Sequence, residues 1–467
     1  MDNMNNVPVY DSSNGTMGQM PQMQQTQQVQ QGAPKKQGKL DKKIIAIIAA
    51  VAALVVVIIA AVLVIGAITS SKKDDDTKKE LFSEGLVPVC IDGKWGYADK
   101  KGKVKINLVY DSASVFYNGV AVVKVDGKYG YIDKKGKYVI EPIFDGASAF
   151  SDGLAAVRTG FTWGYIDKKG KYVIMPQFES AGVFSDGLAV VEVDSKYGYI
   201  DKKGKFVIPC QYDGASRFDA SGLAKVKIDD KTGFINKKGK LVVSPVYKYA
   251  YAFGSNSYTV VYDDDYKYNL IDKKGKALFS VQYDKISNAC VYDMWLVRID
   301  SKYGYIDKKG KMVIAPVFDR ASDFSETDKL AAVRVDGKYG YIDTKGVMKI
   351  AAQFDKASDF VNGYAVVELD DKYGIINTKG QYIVAPTYDE MAMANDSGIV
   401  AYKLNKKYGY MTVKGKNITE AIYDAVSIFS DDGYAVVEVD DKYGVIDKKG
   451  KYVITPSYDK ISGLSVE

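Results

Sequence analysis

The chain has 467 residues, with 64 basic and 58 acidic side chains and no histidine. Without histidine the usual general base, the commonest metal ligand and the side-chain switch that works near neutrality are excluded together. Its three cysteines, Cys90, Cys210 and Cys290, fall at unrelated places, so neither a disulfide framework nor a zinc site is expected.

Residues 1–40 are rich in Gln, Met and Asn, and Tyr10 is their one aromatic. Such a segment buries too little apolar surface to offset its ordering entropy and reads as a disordered tail. Ile44 to Ile68 is an unbroken run of 25 residues, apolar apart from Gly66. At about 1.5 Å per helical residue this run is long enough to cross a hydrocarbon core of about 30 Å. It is also longer than a cleaved signal's apolar region, so residues 41–69 are expected to form one transmembrane helix. Lys42 and Lys43 abut the helix on its N-terminal side, and a mixed-charge linker follows at 70–83. The lysine bias favours a cytoplasmic N-terminus and an extracellular region beyond the helix.

From Trp95 onward the sequence repeats. Eleven openings recur 34 to 36 residues apart: Trp95-Gly96, Tyr129-Gly130, Trp163-Gly164, Tyr197-Gly198, Thr232-Gly233, Tyr268-Asn269, Tyr303-Gly304, Tyr339-Gly340, Tyr373-Gly374, Tyr408-Gly409 and Tyr443-Gly444. That period marks a repeat architecture. In the unit Gly187 to Asp213, Leu188 to Val193 has the β-branched enrichment of a strand. Asp194-Ser195-Lys196 turns it back into a second strand at Tyr197-Gly198-Tyr199-Ile200. Asp201-Lys202-Lys203-Gly204-Lys205 is a type I turn closed by a left-handed glycine, and Phe206-Val207-Ile208 returns as a third strand. Pro209 and its counterparts are expected to end that strand, because proline has no N–H to donate.

Each opening glycine (Asn269 in unit six) stands 14 residues before the closing aromatic, whereas 20 to 22 residues separate that aromatic from the next opening. Rigid three-strand modules joined by tolerant loops around Phe-Ser-Asp-Gly are therefore expected. The recurring aromatics and the glycine behind them suit packing between neighbours and close backbone approach.

Candidate binding residues are the exposed turn lysines Lys134, Lys135, Lys168, Lys169, Lys202 and Lys203, which could form a basic rim for an anionic polymer. The divergent units add Trp295, the one tryptophan outside an opening, and the loop around Asp263-Asp264-Asp265. That acidic triplet lacks the spaced ligands of a calcium loop. No catalytic, cofactor or metal residues are assigned. Apart from the tail and the linker, 55 basic face 51 acidic residues, which is no nucleic-acid signature.

At these residues the chain resembles the bacterial WG-repeat proteins, named for a Trp-Gly that stands here as Trp95-Gly96 and Trp163-Gly164. The resemblance covers about 85–467 and implies repeats with a binding role and no catalytic residues to carry over. The expected fold is all-β: tandem β-repeats over 84–467 forming a β-propeller-like toroid or superhelix, with a linear β-solenoid as the alternative, behind one transmembrane helix. The expected role is a membrane-anchored binding or scaffold module for an anionic cell-wall polymer or a protein partner. The alternative is a single-pass signalling or assembly component whose tail docks a cytoplasmic partner. Chemistry by a carboxylate pair needs no histidine, but no non-repeated acid pair stands out.

Overall fold

A computed structural model describes residues 80–393 and 397–462. The expected tail, the membrane helix and the linker up to residue 79 lie outside the described residues. Among the described residues no helix is long and apolar enough to cross a membrane. The folded region starts earlier than the expected boundary of 84, because Leu81 and Phe82 are already fully buried in the core.

The described residues form eleven antiparallel sheets, each the blade of a β-propeller. Blade two is typical. Ser112–Ala113 is a two-residue strand, Val120–Val125 and Lys128–Asp133 form a hairpin, and Tyr138–Phe144 completes the sheet. Every four-stranded blade keeps the order short, first, second, third. Outside blade six the hairpin turns have two residues, both with positive φ where Asp194 (52°) and Ser195 (57°) stand. This is the type I′ geometry that matches the strand twist. At the other end of the blade Asp133 Oδ1 accepts from the N–H groups of Lys135 (2.8 Å) and Lys137 (2.9 Å), and Gly136 takes φ 80°. The turn read from Asp-Lys-Lys-Gly-Lys forms as expected.

The third strand does not end at the proline. It runs on through a bulge between the pairs Tyr131↔Ile140 and Tyr129↔Phe144, with Pro142 inside it. This strand is the free edge of its sheet, so the missing N–H costs no ladder bond, and a bulged proline edge resists pairing with another chain. The bulge also explains the opening glycine. A Cβ on Gly130 would lie 2.7 Å from the carbonyl oxygen of Ile140 and 2.7 Å from the nitrogen of Pro142. One residue after Phe144 the chain enters the next sheet at Gly146–Ala147, so each unit is stitched into two blades.

The ring closes. The first blade takes Leu86–Ile91, Lys94–Asp99 and Val104–Tyr110 from the start of the repeat region, and its short strand, Lys460–Ile461, from the end. Val89 pairs with Ile461 and Cys90 with Lys460. Leu81, Phe82 and Val87 then pack on Val436, Val445 and Ile454 of blade eleven. A hydrophobic cluster lies at each of the eleven junctions, the closing one included. A superhelix or a linear solenoid would leave that last junction open.

Within the junctions the tyrosine that follows an opening aromatic and its glycine, as Tyr97, Tyr131 and Tyr199 do, is buried and donates to the backbone of the following blade. Tyr97 reaches the carbonyl of Ser114 at 2.8 Å, Tyr131 that of Ser148 at 2.8 Å, and Tyr199 that of Ser216 at 2.7 Å. Burial pushes these phenols well above their ordinary value, so they remain protonated donors. The repeated aromatics are thus largely packing residues.

Candidate functional site

Two ends of the blades offer surface, and their chemistry differs. At the loop end the Lys-Lys-Gly-Lys turns meet the Phe-Ser-Asp-Gly loops. The first lysine of a turn reaches an acid from the preceding blade: Lys134 to Glu84 at 2.8 Å, Lys202 to Asp152 at 3.9 Å, Lys237 to Asp186 at 3.2 Å and Lys100 to Asp432 at 3.6 Å. The same acids accept from loop N–H groups of the next blade, Glu84 from Gly119 at 2.9 Å and Asp152 from Gly187 at 2.8 Å. Lys134 has moved the Glu84 carboxyl below its ordinary value against the cost of burial. The expected basic rim is therefore partly spent on holding blades together.

Lys168 differs, because the position matching Glu84 and Asp152 in the blade before it is Asn118, which carries no charge. Lys135, Lys169 and Lys203 are exposed, and only their backbone N–H groups are engaged, by the turn aspartates. Of the expected rim, these four keep side chains free of any ion pair among the described residues.

Trp295 is not part of a surface site. Only 4% of it is exposed, and it packs edge-on against Tyr258 (6.2 Å) and Phe279 (5.9 Å) at the junction of blades six and seven. It fills the space left where blade six has lost its regular third strand. The triplet Asp263-Asp264-Asp265 is committed to its own turn. Asp263 accepts from the N–H groups of Asp265 and Lys267 and from Gln282, while Asp264 pairs with Lys231. Among the described residues no group of three or more acids or cysteines is arranged to hold a metal ion.

At the hairpin end a different device recurs. The lysine that opens each second strand pairs with the acid behind the closing aromatic, 17 residues on. Lys372 reaches Asp389 Oδ1 at 2.6 Å, and Asp389 Oδ2 accepts the N–H of Asn405 in the hairpin turn of blade ten at 2.8 Å. Nine such pairs occur among the described residues, beginning with Lys94–Asp111 and ending with Lys442–Asp459. Two junctions lack the pair, since Thr162 replaces the lysine in blade three and Lys248 replaces the acid after blade five.

Beyond Lys248 the surface changes character. Seven tyrosines fall between Tyr247 and Tyr268. Tyr249, Tyr262 and Tyr268 sit opposite one another on adjacent strands of blade six. In blade two the same three places hold Ser112, Lys124 and Tyr129. The rings of Tyr249 and Tyr262 stack at 5.5 Å and 21°, and those of Tyr262 and Tyr266 at 5.7 Å and 20°. Tyr251 meets Tyr249 edge-on at 5.1 Å, and Tyr268 leans on Tyr262 at 4.9 Å. Burial and the surrounding phenols push the Tyr262 hydroxyl above its ordinary value. Tyr266 stands at the end of the stack and is 62% exposed. The density of tyrosine was the sequence signal for this array, but the pairing that aligns the rings is not local.

The same blade carries Asn269 in place of the opening glycine. Its side-chain amide donates to the carbonyls of Phe279 (2.9 Å) and Val281 (3.3 Å), and the third strand shrinks to isolated bridges. Blade six thus departs from the repeat at its hairpin turn, its short strand and its edge together.

Comparison with known proteins gives a match to the family described as WG containing repeat over residues 80–95, 95–129, 129–160, 163–197, 197–231, 233–268, 303–339, 339–373, 373–408, 408–443 and 443–465. The unmatched stretch between 268 and 303 holds the altered edge of blade six. No curated protein matches the chain. Solved structures similar to it include a eukaryotic initiation factor (12% identity, 73% of this chain and 96% of that one, TM-score 0.40). Hsv2p of Kluyveromyces lactis is similar at 11% identity over 50% of this chain and 91% of that one, with TM-score 0.30. BamB from Moraxella catarrhalis is similar at 12% identity over 63% and 93%, with TM-score 0.25.

Proposed function

This chain belongs to the family of WG containing repeats, and on that premise we propose that it is a membrane-anchored, extracellular binding or scaffold module for a cell-envelope polymer or a protein partner. The observation that carries the reading is the contrast within the ring. Nine blades keep the four-stranded pattern, blades six and ten reduce the third strand to isolated bridges, and blade six adds a cluster of stacked, exposed tyrosines. A rigid ring bearing one divergent patch suits recognition, where pre-organised surface lowers the ordering cost of binding. The apolar run Ile44 to Ile68 and the lysines ahead of it support the anchor and its orientation.

The test is binding of the full-length protein, in mild detergent, to isolated cell envelopes across a salt series. Saturable binding supports the module. Binding that collapses with salt assigns the contact to the lysine rim, and binding that persists assigns it to uncharged surface. No saturable binding overturns the proposal in favour of an assembly role read through the tail. Protease access to the repeat region on intact cells checks the orientation.

A further inference from the structure

We propose that the tyrosine array at the hairpin end of blade six, built on Tyr249, Tyr262 and Tyr266 with Tyr251 and Tyr268 beside them, is a binding site for the pyranose rings of a neutral glycan chain.

The argument begins with what the fold does not need. The core of blade six is supplied by Val260, Val261, Leu270 and Ile271; of the array only Tyr268 packs against the cluster around Val260 and Leu270. The places of Tyr249 and Tyr262 hold no aromatic in blade two, where Ser112 and Lys124 stand, or in blade three, where Gly146 and Arg158 stand. Tyr249 is 38% exposed, Tyr251 42% and Tyr266 62%, so the substitution to tyrosine places large ring surface in water. Clustered exposed aromatic surface of this kind marks an interaction site more often than scattered single residues do.

Geometry narrows the ligand. The Tyr262 ring stacks with Tyr249 at 5.5 Å and 21° and with Tyr266 at 5.7 Å and 20°, and Tyr266 is largely open to solvent. The partner that extends such a stack is a flat ring with an apolar face and a polar rim. Tyrosine suits a polyol, because its ring packs on the C–H face while its hydroxyl exchanges hydrogen bonds at the edge.

Charge narrows it further. A polyanion approaching Tyr266 would meet the carboxylates of Asp263 and Asp265 in the adjoining turn, Asp264 being paired with Lys231. An organic cation would compete with Lys225, whose ammonium already lies 5.0 Å from the centre of the Tyr249 ring. A neutral sugar meets neither objection. The array also lies at the opposite end of the blades from the Lys-Lys-Gly-Lys rim, so a glycan here and an anion there would not exclude each other.

This inference rests on the binding role proposed above and names one ligand class and one place for it. The test is affinity electrophoresis of the full-length protein in gels containing neutral polysaccharides (soluble β-glucan, α-mannan and galactomannan), with a parallel titration of cellohexaose to tell free sugar from polymer. At least one probe should retard the native protein, and added salt should not release it. Tyr266→Ala should weaken that retardation about tenfold and Tyr266→Trp should keep it, since the loss is that of one aromatic contact. Lys168→Ala should leave it unchanged. The inference is overturned if none of the probes binds, or if Tyr249→Ala/Tyr266→Ala, with an unaltered circular dichroism spectrum, binds as the native protein does. In either of those cases envelope binding by the native protein would leave the broader role standing, whereas absence of envelope binding would remove that role too.

Discussion

Lys372 and Asp389 stand 17 residues apart in the chain and 2.6 Å apart in space, and Asp389 passes the contact on to the Asn405 amide of the next blade. Repeated around the ring, this relation ties the hairpin of one blade to the turn of its successor. Each pair is half in water, and exposed ion pairs stabilise little by themselves. Lys372→Met should therefore leave the urea midpoint nearly unmoved. Asp389→Ala should lower it measurably, because the turn amide loses its acceptor as well. Equal effects from the two variants would show that the bond to Asn405 contributes nothing.

The clamp acids also set a pH response. Asp111, Asp145, Asp213, Asp319, Asp355, Asp389, Asp424 and Asp459 are held below the ordinary carboxylate value, first by hydrogen bonds from their lysines. A carboxyl with a depressed folded pKa contributes stability that is present above its unfolded value of about 3.9 and is lost as pH falls through the folded one. Melting temperature should hold steady between neutral pH and about pH 5 and then drop below about pH 4. The paired lysines Lys94, Lys196 and Lys442 are raised, so their share persists through neutrality and fades only at strongly alkaline pH. A melting temperature that stays flat down to about pH 2 would remove the clamps from the stability of the ring.

Tyr131→Phe tests the buried hydroxyls. The change leaves the Ser148 carbonyl without the donor that now sits 2.8 Å away, at a cost of about 1–2 kcal/mol. The fold tolerates such losses one at a time, since Phe234, Leu270, Ile375 and Val445 occupy the same place in other blades. Chemical denaturation should show the loss with the circular dichroism spectrum unchanged.

Gly130→Ala should be harsher for its size. Its new methyl group would sit 2.7 Å from the Ile140 oxygen, and the edge strand must move to admit it, at a cost of about 1–3 kcal/mol. Hydrogen exchange should locate the damage at residues 138–144. Asn269 shows the natural way out, with the edge strand displaced and hydrogen-bonded to the side chain.

Much of the blade was legible because it is local. The Asp-Lys-Lys-Gly-Lys turn is set by residues adjacent in the chain and forms as expected, and the reversal expected at Asp194-Ser195-Lys196 forms with Lys196 already in the second strand. The proline was misread, since whether it ends a strand or sits in its bulge depends on which side of the strand is left unpaired. Trp295 was misread for a related reason. Its rarity suggested a ligand, but it stands at the inward place where other blades bury Ala121, Ala189 or Ala331, and the altered edge of blade six leaves room for the larger ring. The lysine rim was visible as composition, yet its neutralisation was not, because Lys202 and Asp152 are separated by 50 residues. The clamp could have been found. A lysine before ten of the eleven openings and an acid after ten of the eleven closing aromatics recur at a constant separation, and a search for paired charges at the repeat scale would show them.

Ile461→Ala probes the seam. Ile461 is buried between the first blade and the last, and its truncation should cost about 2–4 kcal/mol. Limited proteolysis should then open the chain first at Leu86–Ile91, whose pairing partner is loosened. Cleavage beginning elsewhere would mean that the seam is not the weakest joint.

The seam has a further consequence for biogenesis. Val89 and Ile461 are among the first and last residues of the ring to leave the ribosome, yet they pair directly. Blades two to eleven can each form as their own segment emerges, whereas blade one waits as three strands with an open edge until Lys460 and Ile461 emerge. Loop closure over almost the whole ring must come last, and contacts of such long separation are slow to form. A chain that stops early therefore carries an exposed strand edge and an unfilled core, the features by which quality control recognises unfinished proteins.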